Sequence, residues 1–243
     1  MSLTFDQNLF TQTDLDSGLL TILGSVIHSF SEPGEYRGSV HKAGDAQAVF
    51  YITVDKNSPA AHVNIDLATL PEYSSATKKE CCDESTASHF TVNPRGYVVF
   101  HVSGGSGGFS VHVRRADEDP KTQVFNCQEL GAGDLFSASI IRPGTYSVAN
   151  QLVKTNAQAV VVVSYPQMEK TAYRPPAPVH VQVGPGGFEP ARNELKPGQG
   201  LVFEVKASAR IVVALVKPDD GPGQTQQPPP RGWLKNTLPE KKA

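Results

Sequence analysis

The sequence of 243 residues has little cysteine, little charge and no long apolar run. Its three cysteines, Cys81, Cys82 and Cys127, cannot all pair within one chain, and a bridge between adjacent cysteines closes only a strained ring. A disulfide framework is therefore not expected. No Asn-x-Ser/Thr acceptor for glycosylation is present either. Both absences favour a reducing compartment, and we predict a cytoplasmic protein.

The longest apolar stretch, residues 19–27, does not have the features of a targeting or membrane segment. No Lys or Arg precedes it, whereas a secretory signal needs a positively charged start. Gly24 and Ser25 interrupt it, and it is too short to span a bilayer as a helix. We predict that it forms a buried strand, with no signal peptide and no transmembrane segment.

Strong charge of one sign is also lacking. The 22 basic and 24 acidic residues give a formal net charge of -2, which supplies no field for recruiting nucleic acid, so nucleic acid is not an expected partner. Charged residues make up only 19% of the chain, while 21 glycines and 19 prolines are present. This balance is typical of a turn-rich β protein.

The most informative positive feature is a near-repeat. Pro-Gly-Glu-Tyr at 33–36 returns about 110 residues later as Pro-Gly-Thr-Tyr at 143–146, and Ala-Gln-Ala-Val follows each copy, at 46–49 and 157–160. Similarly, Phe-His-Val at 100–102 is echoed by Phe-Glu-Val at 203–205. Such a repeat indicates one supersecondary unit used twice.

Strand patterns dominate the chain, and no stretch shows a sustained helical period with caps. The clearest predicted strands are 49–54, 98–102, 109–113, 160–165, 179–183, 201–205 and 211–216. The predicted fold class is all-β, with two related antiparallel β-sandwich modules of jelly-roll type and an extended Pro-rich C-terminal tail.

Two domain arrangements fit these elements. In the tandem arrangement, an N-terminal arm (1–16) precedes a first sandwich (17–120), a second sandwich (121–220) and a Pro/Gln-rich tail (221–243). In the alternative, residues 89–166 form a sandwich that is inserted between 17–66 and 179–217. We favour the tandem arrangement because domain-sized units usually follow one another.

The glycine-rich segment 103–108 separates two alternating runs and is predicted to close a β-hairpin. In the corresponding register, Val102 faces Val111, and His101 faces His112 on the opposite side. Two neutral imidazoles placed in this way are able to bind zinc or copper, so His101 and His112 are the candidate metal ligands. The spacing identifies no third ligand, and two surface histidines are the alternative interpretation.

The other candidate chemical groups do not form a catalytic set. Ser106 lies in a Gly-x-Ser-x-Gly pattern, but the nucleophile elbow of hydrolases needs a helix after the serine, and here a strand follows. The vicinal Cys81 and Cys82 lie between two lysines that favour thiolate and two acids that oppose it. We predict no catalytic residues and no cofactor, and hence no enzyme.

The C-terminal tail changes in composition after Pro218. Its Gly-, Gln- and Pro-rich stretch favours an extended spacer rather than a packed core. Beyond the spacer lie Trp233, Leu234 and Leu238, which form a candidate docking peptide for a protein partner. The alternative is an unstructured terminus without a partner.

Residues 179–218 resemble a known family. Val-His-Val-Gln-Val at 179–183, Leu-Lys-Pro-Gly at 195–198 and the apolar strands 201–205 and 211–216 are similar to the strand rhythm of GOLD-type β-sandwiches. That resemblance implies a compact sandwich used for protein or lipid contacts. Phe188-Glu189-Pro190 also resembles the start of a cupredoxin, but a nearby set of Cys, His and Met copper ligands is missing.

These observations favour a non-enzymatic structural or protein-interaction protein. Its expected partners are another protein or further copies of the chain, because open sandwiches present edge strands, and a homo-oligomer is predicted. The alternative is a metal-binding protein that uses His101 and His112, and the third hypothesis is a hydrolase on a β-sandwich scaffold.

Overall fold

The computed structural model describes residues 8–72, 87–117, 123–153, 158–165 and 173–221. One helical turn, α1 (Asn8–Thr11), precedes seventeen strands. The strands are β1 (Asp14–Asp16), β2 (Gly24–Ser29), β3 (Gly34–Lys42), β4 (Asp45–Val54), β5 (His62–Asp66), β6 (Ser88–Val92), β7 (Tyr97–His101), β8 (Phe109–Arg115), β9 (Gln123–Asn126), β10 (Leu135–Ser139), β11 (Gly144–Asn150), β12 (Gln158–Val163), β13 (Val179–Gly184), β14 (Gly187–Glu189), β15 (Arg192–Leu195), β16 (Gly200–Val205) and β17 (Ile211–Pro218). The all-β prediction is confirmed. The predicted purely antiparallel pairing is wrong, because β4 pairs in parallel with β6, β5 with β7, β12 with β15 and β13 with β16.

The strands form three sheets. Sheet 1 has the order β6-β4-β3-β8-β9, and sheet 2 has the order β1-β17-β11-β12-β15. The shared sheet has seven strands, β14-β13-β16-β10-β2-β7-β5. It takes strands from both copies of the repeat, which we call the first half (residues 17–117) and the second half (residues 127–218). Each of the seven predicted strands overlaps one of the observed strands, because alternating burial is a local property that the sequence records directly.

The predicted strand at 19–27 is only partly correct. Residues 21–23 form a turn, and strand β2 begins at Gly24. Leu20 is buried and forms an isolated bridge with Phe109, whereas Leu19 is exposed. The apolar run therefore contains a change of direction that its hydrophobicity does not reveal.

The predicted hairpin at 103–108 is wrong. Strand β7 belongs to the shared sheet and β8 to sheet 1, so the glycine-rich segment crosses from one sheet to another. Gly107 adopts a φ of 67°, and a Cβ at this position would lie 2.7 Å from the Thr21 side chain. The glycines thus permit a close crossing, and the register that placed His101 opposite His112 does not exist.

The Pro-Gly-x-Tyr segments make matching contacts. The Tyr36 hydroxyl donates a hydrogen bond of 2.7 Å to the Glu32 carbonyl, and the Tyr146 hydroxyl donates one of 2.8 Å to the Arg142 carbonyl. Both tyrosine rings are buried. The glycine before each tyrosine has a positive φ, and at Gly144 a Cβ would lie 2.6 Å from the Lys217 carbonyl oxygen. The recurring residues therefore specify one buried corner in each half.

Strands β2 and β10 join the two halves at a seam in the shared sheet. They pair antiparallel, and Val26 is the cross-strand partner of Phe136. These two residues occupy matching positions relative to the two Pro-Gly-x-Tyr segments. An antiparallel pair centred on matching residues has local twofold symmetry, so the seam relates the halves as two subunits are related in a symmetric dimer.

The short strands β1 and β9 connect the halves a second time. Strand β1 precedes the first half but pairs with β17 of the second half, and β9 precedes the second half but pairs with β8 of the first. Ser17, just after β1, accepts a hydrogen bond of 3.0 Å from the Ile211 amide through Oγ. Cys127, just after β9, accepts one of 3.1 Å from the Val111 amide through Sγ. The two crossings are therefore built in the same way.

Most other pairings stay between neighbours along the chain. Strand β3 pairs with β4 and β8, while β11 pairs with β12 and β17. Strands β3 and β11, which carry the Pro-Gly-x-Tyr segments, thus pair with strands of their own half, whereas the seam and the strands β1 and β9 link the two halves. The predicted domain boundaries themselves stay predictions.

One apolar core runs through both halves. Its largest fully buried side chains include Phe50 and Phe100 in the first half and Phe136 and Phe203 in the second. Among the described residues, no helix is both long and apolar enough to span a membrane.

Candidate functional site

A histidine and an aspartate meet at one end of the seam. His28 lies on β2 of the first half, and Asp134 lies just before β10 of the second half. Their atoms Nδ1 and Oδ1 are 2.6 Å apart, and only 16% and 7% of the two side chains are exposed. The other carboxylate oxygen, Oδ2, accepts a hydrogen bond of 2.7 Å from the Gly131 amide. Both oxygens of this nearly buried carboxylate are therefore satisfied.

Aromatic contacts fix the plane of the His28 ring. Phe30 packs edge-on against it at a centroid distance of 4.6 Å, and Phe125 lies tilted at 4.8 Å. When Nδ1 donates its proton to Asp134, Nε2 becomes the basic nitrogen of the neutral ring. The arrangement therefore holds one imidazole nitrogen in a defined orientation, as hydrogen-bonding or proton-transfer sites require.

Two cavities adjoin this imidazole. The first measures 310 Å³ and is also lined by Glu32, Tyr36 and Arg115. The second measures 330 Å³, and Asp134 lies in its wall together with the side chains Gln123, Asn126, Glu129 and Ser208. His28 and Val124 line both cavities. We call this region the seam cleft, and its two volumes are each in the range of small ligand pockets.

The two cavities differ in charge. In the first, the Arg115 guanidinium lies 3.1 Å from Glu32, so a positive and a negative group balance each other. In the second, the described lining holds two carboxylates, Glu129 and Asp134, with no Lys or Arg. The second cavity therefore favours a group that donates hydrogen bonds or carries positive charge.

The local twofold symmetry provides a comparison within the same molecule. At the other end of the seam, the residues that match Asp134 and His28 are Gly24 and Ala138, which are cross-strand partners. A Cβ at Gly24 would lie 3.4 Å from the Phe136 ring, so this end is filled by an apolar side chain. The seam thus forms without a polar pair at one of its ends, and pairing of the halves does not by itself require His28 and Asp134.

The structure separates the predicted metal ligands His101 and His112. His101 lies on the shared sheet, with Ser25 and Asp66 as cross-strand partners. Burial opposes ionisation of Asp66, but hydrogen bonds from Ser103 and Ala68 and the nearby His101 lower its pKa overall. His112 lies on sheet 1 between Ser39 and Asn126. The register that carried the zinc or copper hypothesis is therefore absent.

His112 has a different imidazole neighbour. The ring of His41 lies 5.3 Å from that of His112. Burial lowers the pKa of His112, and His41 lowers it further, so His112 is neutral at neutral pH. The described part of the chain contains no group of three or more His, Cys, Asp or Glu side chains arranged to hold a metal ion. Metal binding by His101 and His112 stays a prediction.

The remaining predicted sites are distributed as follows. Ser106 is exposed in the segment between β7 and β8, with a strand after it. The docking residues Trp233, Leu234 and Leu238 and the vicinal Cys81 and Cys82 lie outside the described residues. Those predictions are untested.

The sequence repeat contains a signal for the seam cleft. His28 and Asp134 lie at opposite ends of matching strands, so their proximity depends on an antiparallel pairing centred on Val26 and Phe136. The repeat supplied the matching positions, but it did not show that matching strands pair with each other. A search for polar residues symmetric about the β2–β10 strands would have found them.

Comparison with family models, curated proteins and solved structures finds no match to this chain. The GOLD-type and cupredoxin resemblances therefore stay sequence-based expectations.

Proposed function

We propose that this chain is a non-enzymatic protein-interaction protein that binds an extended segment of a partner in the seam cleft. The observation that carries the proposal is the His28 imidazole, held by Asp134 between two cavities at only one end of the seam. In this proposal the two halves are related β-sandwich modules of jelly-roll type, fused into one rigid scaffold.

The shape of the cleft favours a peptide over a single compact ligand. Side chains on one face of an extended chain lie about 7 Å apart, with backbone amide groups between them. Two cavities on either side of His28 accommodate two such side chains, while His28 Nε2 accepts a hydrogen bond from the intervening backbone. The exposed Val124 between the cavities offers an apolar contact.

The charges of the cavities indicate which side chains fit. Glu129 and Asp134 in the second cavity favour Lys, Arg or a hydroxyl-bearing residue. The first cavity, with its balanced Glu32–Arg115 pair and the Tyr36 ring, favours a neutral polar or aromatic side chain. The preferred motif therefore has a hydrogen-bond donor two residues from a neutral side chain.

A random peptide display library is the direct test. We expect enrichment of peptides with this motif, and we expect His28→Ala to weaken their binding about tenfold or more, because a central hydrogen bond in a desolvated cleft is lost. Asp134→Asn should weaken binding as well, since the amide no longer holds the imidazole in one tautomer. Fluorescence anisotropy with enriched peptides measures both effects.

His101→Ala is the matched control, because it removes a partly buried histidine from a different part of the shared sheet. It should leave peptide affinity unchanged. Equal binding by wild-type protein and His28→Ala, or a library that yields no enriched peptide, would contradict the proposal.

A further inference from the structure

The outer face of sheet 1 carries a row of cationic and aromatic side chains that is separate from the residues of the seam cleft. Across the sheet, His89 on β6 pairs with Tyr51 on β4, Tyr51 pairs with Arg37 on β3, and Arg37 pairs with Arg114 on β8. We call these four residues the basic row. Tyr51 and Arg37 each lie between two buried neighbours, so their side chains point away from the core. Arg114 follows the buried Val113, and His89 is itself exposed, which places them on the same outer face.

The two arginines of the row are direct cross-strand partners, and like charges in this position destabilise a sheet. Among the described residues, neither guanidinium forms an ion pair with a carboxylate. Arg114 donates to the backbone carbonyl of Arg115, at 3.2 Å. Within the described part of the chain, the row therefore keeps two positive charges on adjacent strands without a paired carboxylate.

The aromatic members of the row stack on each other. The rings of Tyr51 and His89 stack at a centroid distance of 5.0 Å, with only 13° between their planes. Tyr51 is the cross-strand partner of Arg37, so the stacked pair lies next to the arginines on the same face of the sheet.

The extent of the charge limits the ligand to one anionic group. Along β3 the next outward residues are Glu35 and Ser39, and along β8 it is the neutral His112, with Ala116 just beyond the end of the strand. A nucleic-acid backbone needs several successive phosphate contacts, which this face does not supply. A single phosphate dianion, by contrast, has enough oxygens to accept hydrogen bonds from two guanidinium groups at once.

We propose that Arg37 and Arg114 bind the phosphate group of a phosphorylated side chain on a partner protein. Two adjacent guanidinium groups match the charge of a phosphate monoester better than that of a carboxylate, which carries a single charge. The flat strand surface, with stacked rings beside the arginines, suits a peptide that approaches with one phosphorylated residue. This site makes no use of His28 or Asp134, so it stands independently of peptide binding in the seam cleft.

The test uses a short peptide with one phosphoserine between neutral residues, the same peptide without phosphate, and a thymidine oligonucleotide. We expect the phosphopeptide to bind best at low salt, and we expect Arg37→Gln and Arg114→Gln each to weaken it about tenfold, as loss of a charged hydrogen bond predicts. Arg192→Gln, which removes an exposed arginine from β15, should bind the phosphopeptide like the wild type.

Thermal unfolding provides a second measurement that does not depend on peptide sequence. Without ligand, Arg37→Gln and Arg114→Gln should be at least as stable as the wild type, because repulsion between like charges is removed. Phosphopeptide at a fixed concentration a few times its wild-type Kd should raise the Tm of the wild type clearly and that of either variant much less. Equal affinity for the unphosphorylated peptide, tighter binding of the oligonucleotide, or wild-type affinity in both variants would overturn the proposal.

Discussion

At the scale of single residues, Ser17 and Cys127 perform the same task with different atoms. Each side chain accepts a hydrogen bond from a backbone amide of the half to which its strand crosses. The Cys127 thiol lies 3.7 Å from the Gly18 carbonyl and is fully buried. Burial, with the Asp16 charge as a smaller contribution, raises the pKa of this thiol to about 12.

The raised thiol pKa leads to a pH-dependent prediction. Because burial raises the pKa of Cys127 to about 12, the folded protein keeps the thiol proton up to about that pH, whereas the unfolded chain loses it near the ordinary thiol pKa of 9.0. The stabilisation is complete below the unfolded pKa and is lost as pH rises toward the folded one. Above about pH 9, wild-type stability should therefore fall faster than that of Cys127→Ser, by up to about 1.4 kcal/mol per pH unit.

Urea unfolding of both proteins between neutral pH and pH 10.5 measures the difference. At neutral pH the two should differ by less than about 1.5 kcal/mol, because a serine hydroxyl accepts the same bond at the matching position 17. Parallel pH profiles for the two proteins would show that the buried thiol is not linked to folding.

Residue-scale chemistry was the least predictable from sequence. The sequence predicts His101 and His112 as metal ligands, but no local sequence pattern distinguishes a histidine that contacts a carboxylate from one that does not. His28 acquires its partner from a residue more than 100 positions away, through pairing that only the folded chain defines. The basic row likewise joins four strands, so its members are scattered along the sequence.

At the scale of elements, β1 has an anchor that its counterpart β9 lacks. The Arg210 guanidinium donates two hydrogen bonds to the Asp16 carboxylate, from Nε at 3.1 Å and from Nη2 at 2.7 Å. The matching residues at the pairing of β9 with β8 are Asn126 and Ser110, and neither side chain carries a charge. A three-residue strand is thus held to β17 by a bidentate, partly buried ion pair.

Removing this anchor should loosen β1 selectively. We expect Arg210→Gln to lower the free energy of unfolding by about 1–2 kcal/mol and to increase amide exchange at residues 14–17, because Asp16 is left without its partner. Exchange in β9 should stay as in the wild type. Hydrogen exchange with Asp16→Asn and the double variant gives the coupling energy, and strictly additive effects would argue against the ion pair as the anchor.

The positions of strands were predictable, but their partners were not. Alternating apolar residues identify a strand from its own sequence, whereas register depends on distant segments. The repeat in sequence does not predict every cross-strand partner. Gly38 pairs with Phe50, while its counterpart Val148 pairs with Ala159. When the two halves are compared by strand pairing, the second Ala-Gln-Ala-Val segment is therefore shifted by two positions relative to the first. The first half places the large Phe50 opposite Gly38, whereas the second half places the small Ala159 opposite Val148.

At the scale of the whole molecule, the seam joins the two halves through one continuous sheet and one apolar core. Phe136 is completely buried, pairs with Val26 across the seam and stacks on Phe203 at a centroid distance of 5.8 Å. Exchange of β1 and β9 adds a second link, so neither half keeps all its strands without the other. The halves therefore have no separate folded state that retains every described strand.

A single cooperative unfolding transition should follow from this continuity. We expect Phe136→Ala to lower the free energy of unfolding by about 3–5 kcal/mol and to shift both halves together, since it leaves a cavity next to the seam. Ser137→Ala, on the outward face of the same strand, should change stability by less than about 0.5 kcal/mol.

Calorimetry combined with residue-resolved hydrogen exchange in β3 and β11 checks this expectation. Two separate transitions, or a loss of protection confined to β11, would show that the halves unfold independently.

The pairing of β2 with β10 also affects how the chain self-associates. A single repeat released from its partner would expose the β2-type edge, and the surface best suited to cover that edge is the same edge of an identical molecule. Such contacts are isologous and close after two copies, whereas head-to-tail contacts continue indefinitely. In the fused chain this closure takes place within one polypeptide, so an edge that invites fibre growth in an open sheet is already occupied.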